Sequence, residues 1–375
     1  MNFLKLSALI LILFCAGLAT AYGTGLFNAF SGGYPPVMWP ASGDYETVPG
    51  APEPIPRHPD FRELDLRGVD LFENSESRAL LVMRDGKLLL ETYAERIGRS
   101  TRLNSYSLVK SLVGALVLKA QSEGRIVSLD DPIGTYLPGF GSQDFQKRPV
   151  RSFLEMRSGL DFERDGADKP DRLISYNPFG ALARLHVGGI SSVEHELEIT
   201  RKNPTQFSYQ NVNTAVLGKL LSRLYGQPLP RLLADKIWQP AGAGDAYWLQ
   251  HAEAGDVTAY CCLYASPRDW MLIGRYLMRN GTPADPFLPR EIWREFFGKH
   301  HRPADLVDGV YGLHVRHNIL DRQGEDLQGA FTYMMGQGGQ IVYMMPEKDL
   351  VVVRFGERHS LLHSTLYSAW NSVSN

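Results

Sequence analysis

Ser107 and Lys110, three residues apart in Asn104-Ser-Tyr-Ser-Leu-Val-Lys110, are the pair in this chain with the most direct route to chemistry. On a helix, positions i and i+3 share a face, so the serine hydroxyl and the lysine amine can meet. The run that follows is apolar on nearly every side, with Leu108, Val109, Leu112, Val113, Leu116 and Val117, and the next charge is Lys119. A helix that is apolar all round is buried, and a buried, unpaired ammonium is costly. Burial and the positive end of the helix dipole both disfavour the charged form of Lys110. A neutral lysine can take the serine proton, giving an activated nucleophile with its base. Ser-x-x-Lys also arises by chance, so the pair needs support from the rest of the chain.

Two further groupings supply it. In Phe207-Ser-Tyr209-Gln-Asn211, Tyr209 can relay a proton beside a serine and a lysine, and Asn211 can bind a substrate amide or order the lysine. The plainer alternative is a turn tyrosine followed by an asparagine that caps a helix. In Gly336-Gln337-Gly338-Gly339-Gln340 the glycines allow a substrate to approach backbone amides, as an oxyanion hole requires. Here the alternative is a glycine-rich bulge in a hairpin.

These groups need elements to hold them. Asn104 or Ser105 can cap a helix that carries Ser107 and Lys110 and closes near Glu123-Gly124. Ahead of it, Ala79–Met83 and Leu88–Tyr93 flank Asp85-Gly86, a strong two-residue hairpin signal. A middle region offers helices over Val150–Met156, Asn213–Tyr225, Leu229–Ile237 and Ser266–Arg279, the last capped by Ser266 with Pro267 in its first turn. Strands return as Val310–Val315, Ala330–Met335, Gln340–Met345 and Leu350–Phe355, with Pro346–Asp349 turning the last pair, and Ser360–Ser374 reads as a closing helix. The expected fold is therefore α+β. The two ends of the chain share an antiparallel sheet flanked by helices, a mainly helical lobe is inserted between them, and the nucleophile helix lies at the cleft.

Taken together and in order, the motifs resemble the serine β-lactamase and penicillin-binding-protein superfamily, nearest its class C-like esterase and 6-aminohexanoate-dimer hydrolase branch. Ser107-Leu-Val-Lys110 is similar to the family's Ser-x-x-Lys element, Tyr209-Gln-Asn211 to its Tyr-x-Asn element. Gly336-Gln-Gly-Gly339 stands where the family places a Lys/His-Thr/Ser-Gly strand. Leu129-Asp-Asp-Pro132, Met156–Leu160, Ile237-Trp-Gln-Pro240 and Tyr264–Asp269 also look like this branch, and the resemblance runs from about 78 to 370. It implies a β-lactamase/transpeptidase-like fold and two-step acyl transfer. Ser107 attacks an ester or amide carbonyl, Lys110 and Tyr209 move the proton, and the N–H groups of Ser107 and Gln340 hold the oxyanion. Gln337 and Gly338 then replace the cation or imidazole and the hydroxyl that would engage a substrate carboxylate. This departure favours an esterase or small-amide hydrolase over a β-lactamase or D-amino-acid peptidase. Arg157 or Arg268 could restore a positive charge. The alternative from another class is a non-catalytic protein of the same fold that binds cell-wall or peptide ligands.

The remaining features bound these readings. The net charge of -2 gives no basic footprint for nucleic acid. The expected partner is a small-molecule ester or amide, with no cofactor and no metal. Residues 1–21 read as a secretory signal, with Lys5, an apolar Leu6–Leu18 and the small-x-small site Ala19-Thr-Ala21, so the protein is expected to be exported to the periplasm or secreted. An uncleaved inner-membrane anchor over residues 6–22 is the alternative, and membrane contact would then be through this segment alone. Residues 22–65 read as an extended Gly- and Pro-rich arm or tether. Residues 66–375 form the hydrolase domain, its α/β part spanning 66–135 and 305–375 and its helical lobe 136–304. Of three cysteines, Cys261 and Cys262 are adjacent. Their α-carbons are closer than a disulfide usually spans, so no structural disulfide is expected. His314 with His317, and His359 with His363, have spacings a metal could use. No acidic or thiol pattern completes a set, so they read as surface or strand-edge residues, and His300-His301 as a solvated loop. Trp238, Trp248 and Trp270 read as core.

Overall fold

The computed structural model describes residues 7–16, 37–41, 43–62, 76–162, 181–201, 203, 205–251, 256–297, 311–317 and 332–357. The expected cleavage site at 19–21, the closing helix at 360–374 and His300, His301, His359 and His363 lie outside them. Residues 7–16 form a helix, α1. No helix among the described residues is long and apolar enough to cross a membrane.

Apolar alternation and tight turns build an eight-stranded sheet. Strand β3 (Ser77–Arg84) turns into β4 (Lys87–Tyr93). The turn residues Asp85 and Gly86 have φ of 52° and 74°, the left-handed pair that a two-residue hairpin requires. From the far end of the chain come β8 (Tyr311–Gly312), β9 (Val315–His317), β10 (Thr332–Gly336), β11 (Gln340–Met345) and β12 (Leu350–Gly356). The strand order is β2-β4-β3-β12-β11-β10-β9-β8, so the two ends of the chain meet where β12 pairs with β3. Every pairing is antiparallel except that of β2 (Arg57–Arg62), which runs parallel to β4 at the edge. A second sheet of four short strands has the order β1-β6-β7-β5, from Tyr45–Val48, Ala246–Leu249, Leu263–Ala265 and Leu103–Asn104.

The period of two along the strands sorts side chains onto two faces. Leu81, Met83, Val342, Met344, Val351 and Val353 join the main core, while Leu80, Val82, Leu90, Tyr333, Ile341 and Val352 cluster on the opposite face. Helix α2 (Leu108–Ser122) lies in the core side and is buried along almost its whole length. The rest of the helices follow as α3 (Gln143–Gln146), α4 (Val150–Leu154), α5 (Ala181–Gly188), α6 (Asn211–Tyr225), α7 (Leu229–Leu233), α8 (Pro267–Met278) and α9 (Arg290–Phe296). Helix α8 opens with a complete capping box between Ser266 and Asp269 and packs on the sheet through Gly274. A β-carbon at Gly274 would lie 2.8 Å from Val351. Trp238, Trp248 and Trp270 are fully buried, as expected. The fold is thus the α+β arrangement read from the sequence, an antiparallel sheet flanked by helices.

The described part of the arm lies over the domain and contributes one strand to each sheet, β1 and β2. Other local expectations are corrected. Val310–Val315 is not one strand but a hairpin, with Leu313 and His314 at its turn in left-handed conformation. His314 and His317 are buried rather than on the surface or a strand edge. Cys261 and Cys262 are both buried in the core.

Candidate active site

Helix α2 begins one residue after Ser107, which occupies the N-cap position without using its side chain as a cap. Neither Asn104 nor Ser105 caps the helix; they shape the approach to it. Asn104 accepts from Tyr106 N at 2.8 Å, and Ser105 is tied to Leu263 in both directions, donating its N–H to the carbonyl and accepting the Leu263 N–H on its hydroxyl. These bonds hold Tyr106 at φ 44°, a strained value for an aromatic residue. The turn presents the Ser107 hydroxyl, free of capping duty, at the half-open mouth of the site.

Lys110, one turn on, is buried and donates to Ser107 Oγ at 2.9 Å and to the Tyr260 carbonyl at 2.6 Å. The amine also lies 5.2 Å from the ring centroid of Tyr209 and 5.8 Å from that of Tyr260. Tyr209, far along the chain from Ser107 and Lys110, therefore shares one place with them. Tyr209 is partly exposed, so this corner of the cleft is open. Its segment is anchored by its neighbours. Gln210 accepts from Phe162 N and donates to the Leu160 carbonyl, and Ser208 N donates to the Met156 carbonyl. Asn211 is the buried first residue of α6, not its cap; the N-cap position belongs to Gln210, and the helix starts two residues before the expected Asn213.

The glycine segment divides into two tasks. Gly336, the end of β10, closes on the nucleophile: a β-carbon there would lie 2.3 Å from the Ser105 carbonyl oxygen and 3.2 Å from Ser107 N. Gln337, Gly338 and Gly339 form a tight turn, with both glycines at φ 75°. Gln340 points away from the cleft. Its amide donates to the carbonyls of Gln337 and Gly356 and its oxygen accepts from Gly356 N, so its side chain is a strut beneath the turn. Buried Arg354 clamps the same turn through the carbonyls of Gly338 and Gly339, at 2.7 and 2.8 Å. Burial pulls its guanidinium down to about 10.

Other residues at the site were not anticipated. The Tyr260 carbonyl is invisible as a functional group in any sequence, because backbone oxygens carry no side-chain identity. His314 receives Ser111 Oγ on its carbonyl, donates from Nδ1 to the Leu154 carbonyl at 2.8 Å and accepts at Nε2 from Thr214, 2.9 Å away. Burial, which outweighs the Leu154 bond and is reinforced by Lys110, pushes it down to about 3, so the imidazole is neutral. Arg316 sits over the rings of Tyr209 and Tyr311, at 5.9 and 5.5 Å. The two arginines expected as possible substitutes are occupied elsewhere. Arg268 is held by the buried carboxylate of Glu91 through two bonds of 2.6 and 2.7 Å, and Arg157 donates to the Thr205 carbonyl. No cluster of three or more metal-ligating side chains occurs among the described residues.

A hydroxyl bonded to a buried amine, beside a phenol and at a helix start, is an arrangement for nucleophilic attack on a carbonyl. Comparison with known proteins gives the family and the fold. The Beta-lactamase family model matches residues 73–363. The 6-aminohexanoate-dimer hydrolase of Paenarthrobacter ureafaciens is 24% identical over 287 residues, covering 75% of this chain and 73% of that protein. The D-aminopeptidase of Brucella anthropi is 29% identical over 181 residues, 44% of this chain and 31% of that protein. Among solved structures, a Bacillus anthracis protein provisionally named a 6-aminohexanoate-dimer hydrolase superposes with a TM-score of 0.69 at 20% identity, over 88% of this chain and 89% of its own. A D-stereospecific amidohydrolase from Streptomyces gives 0.58 at 17% identity, over 78% and 93%. At these identities the structural likeness shows the fold.

Proposed function

We propose, from the premise that the chain belongs to the Beta-lactamase family, that it is an exported serine hydrolase cleaving an ester or small amide through an acyl-enzyme on Ser107. The observation that carries this reading is the 2.9 Å contact between Ser107 Oγ and the buried amine of Lys110. Along this line the serine proton passes to Nζ as Oγ bonds to the carbonyl carbon. Collapse of the tetrahedral species breaks the bond to the leaving alcohol or amine, which takes the proton back through Lys110 and Tyr209. Water then attacks the acyl-enzyme, regenerates the serine hydroxyl and releases the acid.

The strand geometry supports a different reading of the second oxyanion donor. Gly336 is the residue that lies on the Ser107 amide, so the next N–H along, that of Gln337, is the better partner for it than that of Gln340. One such donor is worth about 2.7–4 kcal/mol of barrier. If Gly336 is the glycine of the family's strand motif, the two preceding positions are Met334 and Met335, and neither supplies a cation or a hydroxyl. This supports ester or small-amide substrates over β-lactams and D-amino-acid peptides. The likeness to a 6-aminohexanoate-dimer hydrolase supports a small-amide substrate, while that to a D-aminopeptidase keeps the D-amino-acid peptide in the test panel.

Intact mass after incubation with a fluorophosphonate tests the reading. A single adduct on the wild type, lost in Ser107→Ala, is expected, followed by turnover in a panel of esters and amides and little with nitrocefin or a D-Ala-D-Ala peptide. A folded wild type with no adduct would instead support a binding protein that keeps the fold.

A further inference from the structure

Tyr209 lies near both Lys110 and Arg316. Lys110 Nζ lies 5.2 Å from the centroid of its ring and the Arg316 guanidinium carbon 5.9 Å. Tyr311 meets the same ring edge to face at 5.8 Å and is itself covered by Arg316. Arg316 is on β9, across from Tyr311 on β8 and from Tyr333 on β10. The strand that reaches the nucleophile, β10, brings Met334 and Met335 to its end and no charge. A positive charge beside Tyr209 is therefore delivered by the neighbouring strand.

The delivery is rigid. The β8–β9 hairpin turns on Leu313 and His314, at φ 53° and 65°, a conformation that residues other than glycine hold when their surroundings enforce it. Helix α2 does part of the enforcing. Ser111 Oγ donates to the His314 carbonyl at 2.6 Å, and Gly114 gives the turn room, since a β-carbon there would lie 2.6 Å from His314 Cβ. His314 N donates to the Leu154 carbonyl of α4, and its Nε2 accepts from Thr214 of α6. The hairpin carrying Arg316 is thus fastened to the helix carrying Lys110 and to the helix that follows Tyr209.

We propose that Arg316 is a positioning residue for Tyr209: its fixed charge beside the ring favours negative charge on the phenol oxygen while the proton moves between Ser107 and the leaving group. This rests on the serine-hydrolase reading. The groups that face Tyr209 among the described residues are Lys110 from α2, Arg316 from β9 and Tyr311 from β8. No bond to substrate is assigned to Arg316.

The test is the rate of fluorophosphonate labelling of Ser107 against pH, because this small neutral probe has no carboxylate to be anchored. Arg316→Gln is expected to label about tenfold more slowly near neutrality, with the midpoint of its pH profile about one unit higher, the low end of what a nearby charge does. Arg316→Lys should recover most of both, and in a Tyr209→Phe background Arg316→Gln should add nothing. A wild-type rate and midpoint in Arg316→Gln overturns the proposal. So does an undiminished tenfold loss in the Tyr209→Phe background, and so does a loss confined to carboxylate-bearing substrates, which would make Arg316 a substrate anchor. If Arg316→Gln does not fold, judged by circular dichroism, Arg316→Met against Arg316→Lys gives the same comparison with the apolar stem kept. An unlabelled wild type removes the parent reading and this one with it; a labelled wild type with an indifferent Arg316→Gln removes this one alone.

Discussion

Replacing Gly336 by alanine isolates the fit between β10 and the nucleophile turn. The φ of Gly336 is -124°, open to any residue, so the substitution introduces no backbone strain and its whole effect is contact. The added methyl would sit 2.3 Å from the Ser105 carbonyl oxygen and 3.2 Å from Ser107 N. Ordinary carbon–oxygen contact begins near 3.4 Å, so strand and turn must part by about 1 Å. The turn cannot yield alone, because Ser105 is bonded to Leu263 on two sides and Tyr106 is already at φ 44°. Overpacking of this size costs about 1–3 kcal/mol of stability. A misplacement of about 1 Å at a reacting group costs on the order of a hundredfold in rate. The expected result is a folded Gly336→Ala protein, with a melting temperature a few degrees lower, that fluorophosphonate labels about a hundredfold more slowly. Matched thermal melts and labelling rates measure both. Wild-type labelling in Gly336→Ala would refute the placement of this strand against Ser107 and, with it, the oxyanion assignment.

Three other outcomes follow from the same geometry. Lys110→Ala removes both the partner of Ser107 Oγ and the donor to the Tyr260 carbonyl, and ester turnover is expected to fall by about 10²–10⁴ while a ligand, once found, still binds. Unchanged turnover would rule out lysine as the base. Glu91 is fully buried; burial raises its carboxyl, but Arg268, Tyr93 and Arg99 reverse this and hold it below its ordinary value of 4.5. That stabilisation is complete above pH 4.5 and fades as pH falls through the lowered value, so Glu91→Gln should cost about 3–5 kcal/mol at pH 7 and less at pH 3 in urea unfolding. A pH-independent difference would contradict the ion pair. His186 and His314 are pushed down to about 3, by burial first, and stay neutral in the folded protein. Below pH 6.5 the unfolded chain takes up protons that the folded chain refuses. Stability should therefore be flat above that pH and fall by up to about 1.4 kcal/mol per unit per histidine below it. Equal urea midpoints at pH 7 and 5 would show that these imidazoles are not held neutral.

Legibility in the sequence tracked the range of the interaction that sets each feature. The Asp85-Gly86 hairpin, the Ser266 cap of α8 and the Gly226 stop of α6 were readable because turn and cap chemistry is decided within four residues. The start of α2 was misread because three hydrogen-bonding residues in a row compete for one cap, and the long-range bond of Ser105 to Leu263 settles the contest. The hairpin at Leu313-His314 was missed because neither turn residue advertises φ above zero; its fit against Gly114 enforces it.

By itself the sequence determined which groups are available for chemistry: a serine and a lysine one helical turn apart, a tyrosine ahead of a second helix and a glycine segment opening a strand. Spacing on a helix is a property of the chain, so the Ser107–Lys110 contact followed from four residues. What tertiary structure decided is everything that depends on two elements meeting. It set Gly336 against the nucleophile turn, turned the Gln340 side chain into a strut and brought Arg316 to Tyr209 from a separate strand. Charge and contact act through space with no regard for separation along the chain, and packing alone sets that distance.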